Sequence, residues 1–561
     1  MRILMIVPRS LISGDTVDYQ YLFPLGMAYI SSTLKQNGHA VSCLNLNHYA
    51  GTIEELVHSF LNKDGGIDFV CTGGLSTAYH QIKRVVNAVR TSSLNARVIL
   101  GGGLVSSEPE LMFKNLKPDY IVLGEGEETV KELLSCLENG NDLIDVAGIG
   151  YCTKDGAFVS TKARPPIMEL DALPWPDFEG FGFETYLDNQ KPTDQYSYDL
   201  FDYPRVYPII TSRSCPFLCT FCFHPIGNKY RQRSLDSIMQ ELEVMVRRYR
   251  INILAIYDEL FSHNSERVYE FCRRFKSFLE TIPWDCKWGC QMRVDRINDE
   301  LLATMRNAGC YMISYGFESY SQTVLTSMKK HITNRQIDNA INTTLRNSLS
   351  IQANFIFGDR SETIHSAHET LEYWKQNNHA GIVLGYINPY PGTQLYQYCI
   401  ERGIIKDRLD FIENHIFDAL NMSETMTDTE FLKLKIEILM GQLKYYVTVV
   451  PLSVSQEEGG TFSLRVVCPH CRKEMEYRNY SLPNANIFNV ITYCRNCRRR
   501  FFMVSRAYSC LMKAALLVLA AMPMVLKLKL FEYMEKLKPW LIKKLMSGKG
   551  NMSKIKKMLF P

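Results

Sequence analysis

The stretch "TSRSCPFLCTFCFHP", Thr211–Pro225, sets the reading of the whole chain. Cys215, Cys219 and Cys222 stand in a C-x3-C-x2-C pattern, with no fourth cysteine nearby to complete a second pair. Three thiolates alone do not fill a tetrahedral structural zinc site, although His224 could supply a fourth ligand. Thiolates also hold iron–sulfur clusters, and a four-iron cluster with three protein ligands keeps one iron open. Cysteines buried as small hydrophobes are the third reading. Context bears on the choice: the run follows the apolar segment "VYPIITSR", at the start of a β/α series whose loops are the expected place for catalytic groups.

That series covers residues 206–405. Its strands read "VYPIITSR", "ILAIYDE", "KWGCQMR", "MISYGFES", "IQANFIFG" and "IVLGYINPYPGT", with helices such as "SLDSIMQELEVMVRRY" and "SERVYEFCRRFKSFLE" between them. Six β/α units predict a partial (β/α)6 barrel of the TIM type. Upstream, residues 1–145 alternate in the same way, from "RILMIVP" through "AVSCLNLN", "FVCTGGLS" and "ARVILGGG" to "DYIVLGEGEE". This predicts a doubly wound, Rossmann-like α/β domain with a ligand cleft at its strand ends, where Gly73, Gly74, Gly101, Gly102, Gly124 and Gly126 let a ligand approach the backbone. No Gly-x-Gly-x-x-Gly follows the first strand, where the chain reads "PRSLISGD", so a dinucleotide site is disfavoured. Residues 146–205 read as a connector, with a hairpin turning at Asp155-Gly156.

Bulk properties narrow the class. With 561 residues, 46% hydrophobic and 22% charged, the chain is that of a multidomain globular protein. A net charge of +4 is too small for an extensive nucleic-acid surface. Seventeen cysteines without a signal peptide point to a cytoplasmic location and to metals rather than a disulfide framework. After a helical segment at 406–460 come "CPHC", Cys468 and Cys471, and "CRNC", Cys494 and Cys497, which predict a structural zinc ribbon over 461–508. The flanking "RRRFF" suits nucleic acid or protein docking, of which nucleic acid is the weaker reading. In the tail, 509–561, the longest uncharged stretch is Ala514–Leu526, too short to span a bilayer. The lysines beyond it, mixed with Leu, Phe, Trp and Met, predict a basic amphipathic helix that packs on the body or makes peripheral membrane contact.

The cysteine run, with Phe221 at the aromatic position of C-x3-C-x-aromatic-C, resembles the signature of the radical S-adenosylmethionine (SAM) superfamily. "YRQRSLDSIMQELE", "MRVDRINDELLATMRNAGCYMISYGFESYSQTVLTSMKK" and "YINPYPGTQLY" are similar to later parts of that family. "PLGMAYISSTLKQNGHAV", "VILGGGLVSSEPE" and "DYIVLGEGEETVKELL" resemble the cobalamin (B12)-binding subfamily, so the resemblance spans about residues 1–405. It implies a [4Fe-4S] cluster on Cys215, Cys219 and Cys222, and SAM contacts from Phe221, Asp258, Glu259, Arg293 and Glu318. It also implies cobalamin beside the six glycines, and SAM cleavage to a 5′-deoxyadenosyl radical. The implied reaction is cobalamin-dependent methyl transfer to an unactivated carbon or phosphorus of a small-molecule or lipid-linked substrate, fed by a flavodoxin- or ferredoxin-type reductant. Radical cyclisation or rearrangement uses the same parts, and a non-catalytic zinc-ribbon scaffold with a degenerate barrel is the rival of another class. His224, Tyr315 and Tyr386 are candidate acid–base groups by their position near strand ends. Two features depart from the family pattern: Ser214 stands where glycine is usual and Arg360-Ser361 where Pro-Gly is common; no Asp-x-His-x-x-Gly run offers a lower axial histidine, as is often so in the subfamily.

Overall fold

Along the first strand, Ile3, Met5 and Val7 enter one apolar cluster while Leu4 and Ile6 enter another. A strand covered on both faces belongs in a parallel sheet wrapped by helices. The computed structural model describes residues 1–10, 15–64, 66–92, 95–192, 199–261, 263–482 and 484–546, with backbone alone at 64 and 538–546. Strands β1 (Arg2–Val7), β2 (Ala40–Asn45), β3 (Phe69–Gly73), β4 (Arg97–Gly101) and β5 (Tyr120–Val122) run parallel in the order β2-β1-β3-β4-β5. The order reverses between β1 and β3, which opens a crevice at their carboxyl ends. The hairpin β6 (Ile149–Cys152) and β7 (Phe158–Ser160), expected in the connector, instead pairs antiparallel onto β5 and widens this sheet to seven strands.

The second sheet holds β8 (Val206–Ile209), followed by a short antiparallel ladder of β9 (Ser212–Arg213) and β10 (Arg231–Gln232) at its mouth. It continues through β11 (Ile253–Ile256), β12 (Lys287–Gln291), β13 (Cys310–Glu318), β14 (Ser350–Phe357) and β15 (Val383–Tyr386). β8 and β11–β15 pair in parallel in chain order and leave β8 and β15 as edges, so the barrel is partial. Local signals agree with this placement. Ser234, Asn264 and Asn298 cap three of the helices, and Thr333 and Thr363 form capping boxes with Gln336 and Ser366.

Beyond the helix Asp428–Tyr445 the chain returns to strands: β16 (Thr448–Val449), β17 (Ser453–Gln456), β18 (Phe462–Val467), β19 (Glu474–Tyr480), β20 (Asn489–Tyr493) and β21 (Arg500–Val504). They form two three-stranded sheets, β17-β18-β19 and β16-β21-β20, so the ribbon draws in strands that the sequence put in the helical segment. This module closes the barrel floor. Tyr493 packs with Val206, Ile253 and Tyr311, at the starts of β8, β11 and β13. Ser350 Oγ donates to Arg498 O at 2.8 Å, and Arg500 Nη1 donates to Gly381 O at 3.2 Å. Asp202 Oδ1 accepts from Arg495 Nη2 at 2.7 Å and from Arg478 N at 2.8 Å. Arg500 and Phe501 of "RRRFF" are buried in this seam, so the run is not a free basic surface.

Two helices, Arg506–Ala521 and Met524–Met546, follow and pack onto the Asp428–Tyr445 helix through Leu519, Phe531 and Leu528. Among the described residues no helix is long and apolar enough to cross a membrane. Lys554, Lys556 and Lys557 of the basic tail lie outside the described residues.

Candidate active site

Two cavities lie at the carboxyl ends of the two sheets and meet at Glu259, which lines both. The larger, about 690 Å³, opens at the β1/β3 switch point and is roofed by Ile210, Ser212, Arg213 and Tyr257 of the barrel. All six glycines expected to line a ligand cleft border it. Gly73 is required by close approach, since a Cβ there would lie 2.1 Å from Gly101 O. The walls are largely apolar, from Met5, Val7, Leu25, Met27, Ile30, Ile99 and Val122, and no histidine is among the described lining residues. Size and lining suit a large flat cofactor held without a histidine ligand.

The smaller cavity, about 260 Å³, is bordered by Cys215, Cys219 and Cys222, with His224, Glu259, Arg293 and Lys330 on its walls. The loop is tied down by Thr220 N on Met328 O at 3.1 Å and by Leu395 N on Thr220 O at 2.9 Å. Cys219 and Cys222 share a hydrogen bond that pulls the Cys219 thiol down and pushes the Cys222 thiol up, with burial opposing and the Lys330 ammonium favouring the Cys219 thiolate. Thiolates are what bind metal. The donor set is three thiols facing one space, with no fourth cysteine, which fits a cluster with one open iron better than a closed zinc site. Among the described residues neither buried ring nitrogen of His224 has a hydrogen-bond partner, and the carboxylate of Glu259 is 3.9 Å away. Burial lowers the His224 pKa, so the ring is neutral at pH 7 and able to bond a ligand in the cavity.

Of the residues expected to contact SAM, Glu259 and Arg293 line this space. The Arg293 guanidinium stacks 3.6 Å from the Phe217 ring and donates to Lys330 O and His331 O. The other three do not line it. Phe221 packs against an apolar cluster, with its ring centroid 5.8 Å from Lys330 Nζ. Asp258 is buried and accepts from the backbone N and hydroxyl of Thr211, clamping the end of β11 to the entry of the cysteine loop. Glu318, at φ +63, forms a 2.8 Å ion pair with Lys330. Neither Tyr315 nor Tyr386 reaches the cavity; Tyr315 is buried with its hydroxyl 2.9 Å from Thr344 Oγ1.

Sequence reasoning missed Lys330. It projects inward because both neighbours, Lys329 and His331, are left-handed, with φ of +53° and +52°. Its partner leaves so little room that a Cβ on Gly316 would sit 2.2 Å from Glu318 Oε1. No spacing rule reveals such a turn. The Arg360-Ser361 departure lies outside both cavities: Ser361 bonds Asp359, and Arg360 sits over the Tyr398 ring.

The second cysteine group is tighter. Four ligands about 2.3 Å from a tetrahedral zinc stand roughly 3.8 Å apart. Cys468 and Cys497 Sγ are 3.8 Å apart and Cys471 and Cys494 Sγ 3.6 Å apart, with all four sulfurs within 4.8 Å of one another. Each pair sits in a knuckle whose left-handed residue, Arg472 or Arg498, turns the backbone N–H groups toward a sulfur.

Comparison with known proteins agrees with this architecture. The B12 binding domain family matches residues 16–134, and the Radical SAM superfamily matches residues 209–373. The chain is 28% identical to an uncharacterized methyltransferase of Pyrococcus horikoshii, over 72% of this chain and 84% of that one. It is 26% identical to the anaerobic magnesium-protoporphyrin IX monomethyl ester cyclase of Rubrivivax gelatinosus, over 77% of this chain and 75% of that one. The fold is that of the radical S-adenosylmethionine methyltransferase TsrM from Kitasatospora setae, at a TM-score of 0.57 and 16% identity, covering 71% of this chain and 75% of that one. A B12-binding domain thus precedes a radical SAM barrel, and the chain belongs to the radical SAM enzymes that carry an N-terminal B12-binding domain.

Proposed function

We propose that the protein is a cobalamin-dependent radical SAM methyltransferase, with Cys215, Cys219 and Cys222 holding a [4Fe-4S] cluster. The observation that carries this reading is the junction at Glu259 between a large cavity under the N-terminal sheet and the cysteine-lined cavity of the barrel. When bound, the cluster supplies reductive cleavage of SAM and cobalamin supplies a methyl carrier. The chain's own residues bind and orient. Arg293, ion-paired with Asp295 at 3.0 Å, and Lys330, ion-paired with Glu318 at 2.8 Å, would offer N–H donors rather than net charge to a carboxylate in that cavity, and Glu259 and neutral His224 an acceptor and a hydrogen-bonding ring. The apolar wall of the large cavity keeps water from the facing ligands. Cyclisation remains the second reading, since a cyclase is among the relatives.

The experiment is product analysis of the anaerobically reconstituted protein with SAM, a strong reductant and a panel of acceptors. Methyl transfer predicts S-adenosylhomocysteine that rises at least about tenfold when hydroxocobalamin is added. 5′-Deoxyadenosine alone, indifferent to hydroxocobalamin for every acceptor, would overturn the methyltransferase reading.

A lipid surface is the proposed partner of the C-terminal helices. Beyond the inward-facing Leu519, Leu528 and Phe531, apolar side chains are left outside: Leu517 is 71% exposed and Val525 63%, while Lys527 is only 8% exposed with its Nζ 3.9 Å from Met440 Sδ. From Met524 onward the sequence carries ten lysines against two glutamates, a charge that suits anionic headgroups beside an apolar face. The expected result is co-flotation with vesicles containing phosphatidylglycerol, but not with pure phosphatidylcholine, and its loss in L517E/V525E. Failure to bind anionic vesicles would contradict this, and would leave a water-soluble substrate as the reading.

A further inference from the structure

Ser214 is a serine in a conformation that favours glycine. Its φ of +68° lies in the left-handed region, where the Cβ of an L-residue crowds its own carbonyl. It is buried, and Cys215 follows it directly. Its Oγ accepts a 3.0 Å hydrogen bond from Arg231 Nη2. Arg231 Nη1 in turn lies 2.7 Å from Glu125 Oε2, in the turn after β5 of the N-terminal sheet. Glu125 Oε1 takes Arg213 Nη1 at 2.8 Å, and Arg213 Nη2 reaches Glu127 at 2.6 Å. All four side chains are at most 10% exposed. Glu125, Glu127, Arg213 and Ser214 also line the large cavity, whereas Arg231 lines neither. A ligand filling that cavity therefore touches the groups that fix the backbone leading into the first cysteine.

We propose that the Glu125–Arg231–Ser214 chain is a positioning device: it holds Ser214 left-handed, so aiming Cys215, and ties the geometry of the cysteine loop to occupancy of the large cavity. Arg231 acts through Ser214 and is a positioning residue. The inference rests on the reading of Cys215 as a cluster ligand. Its physical content is specific. A serine in the left-handed region needs a partner for its hydroxyl, whereas a glycine there needs none. The requirement for Arg231 should therefore disappear when residue 214 is glycine. A residue that merely braced the two domains would matter equally with either.

The test uses the full chain, anaerobically reconstituted, as wild type, Arg231→Gln, Arg231→Lys, Ser214→Gly and Ser214→Gly/Arg231→Gln. Arg231→Lys keeps a charge for Glu125 but cannot serve Ser214 as well, and it stands in if Arg231→Gln does not fold. The readouts are iron per chain, the electron paramagnetic resonance (EPR) spectrum of the reduced protein with and without hydroxocobalamin, and SAM affinity by equilibrium binding. The Arg231 variants are expected to bind SAM on the order of tenfold more weakly and to lose any spectral response to hydroxocobalamin. Ser214→Gly should keep SAM affinity within about threefold of wild type but lose the spectral response to hydroxocobalamin, and the double variant should recover SAM affinity to the same range without recovering that response. Unchanged affinity and spectrum in both Arg231 variants, or an equal loss of SAM affinity in Arg231→Gln and in the double variant, would overturn the proposal. Wild-type protein that takes up no iron would instead overturn the cluster reading, and this inference with it.

Discussion

Cys219→Ala is expected to empty the cysteine loop of iron and to abolish 5′-deoxyadenosine formation. Cys219 is the buried member of the three, held between the Met328–Lys330 turn and Cys222. Its thiol is hydrogen-bonded to Cys222, and sharing a proton within that pair draws it downward, toward the thiolate form that binds metal. Two cysteines cannot retain a cluster that three hold with one iron open. Removing a group that only supports a ligand weakens a metal site by about 10–100-fold, so loss of the ligand itself should exceed roughly 100-fold. Iron analysis and mass spectrometry of the nucleoside check this. Cys152→Ala is the control, being exposed and lying outside both cavities, and it should change neither. Full iron and full product from Cys219→Ala would refute the assignment.

The second large effect is expected at the barrel floor. Cys494 is buried, its Sγ accepts from Cys497 N at 3.2 Å, and its knuckle leads through Arg498 to Ser350. Cys494→Ala is expected to remove zinc and to lower stability by more than about 4 kcal/mol, since loss of a structural metal is among the few single changes that reach this size. The consequence should extend past the ribbon: Tyr493 leaves the starts of β8, β11 and β13, and Arg495 leaves Asp202. Thermal unfolding with metal analysis, on wild type, variant and chelator-treated wild type, checks it. A variant that loses zinc yet melts with wild type would show that the ribbon does not hold the floor.

Much of this was legible because periodicity and glycine placement report on backbone. The alternation of Leu4 and Ile6 with Ile3, Met5 and Val7 needs both faces covered, and the glycines ending β3, β4 and β5 mark where helices and ligands come close to strand ends. What escaped depends on which way a loop turns. Asp258 and Glu259 are neighbours ending one strand, yet one clamps Thr211 while the other lines both cavities. Phe221 lies between Cys219 and Cys222 in sequence, yet it packs into an apolar cluster and does not line the cavity that they border. Lys330 enters the site only because its two neighbours are left-handed. The hairpin at 149–160 is legible from its Asp155-Gly156 turn, but nothing local states that its partner is β5. The seat of the ribbon beneath the barrel is likewise fixed by contacts between residues far apart in sequence, such as Asp202 with Arg495.

The most direct measurement of the central claim is EPR of the anaerobically reconstituted, dithionite-reduced protein with and without SAM. A cluster with one open iron predicts a reduced [4Fe-4S] signal whose g-values shift when SAM is added, absent from Cys219→Ala. A protein that contains zinc but takes up no iron, or a cluster signal that SAM leaves unchanged, would contradict the account.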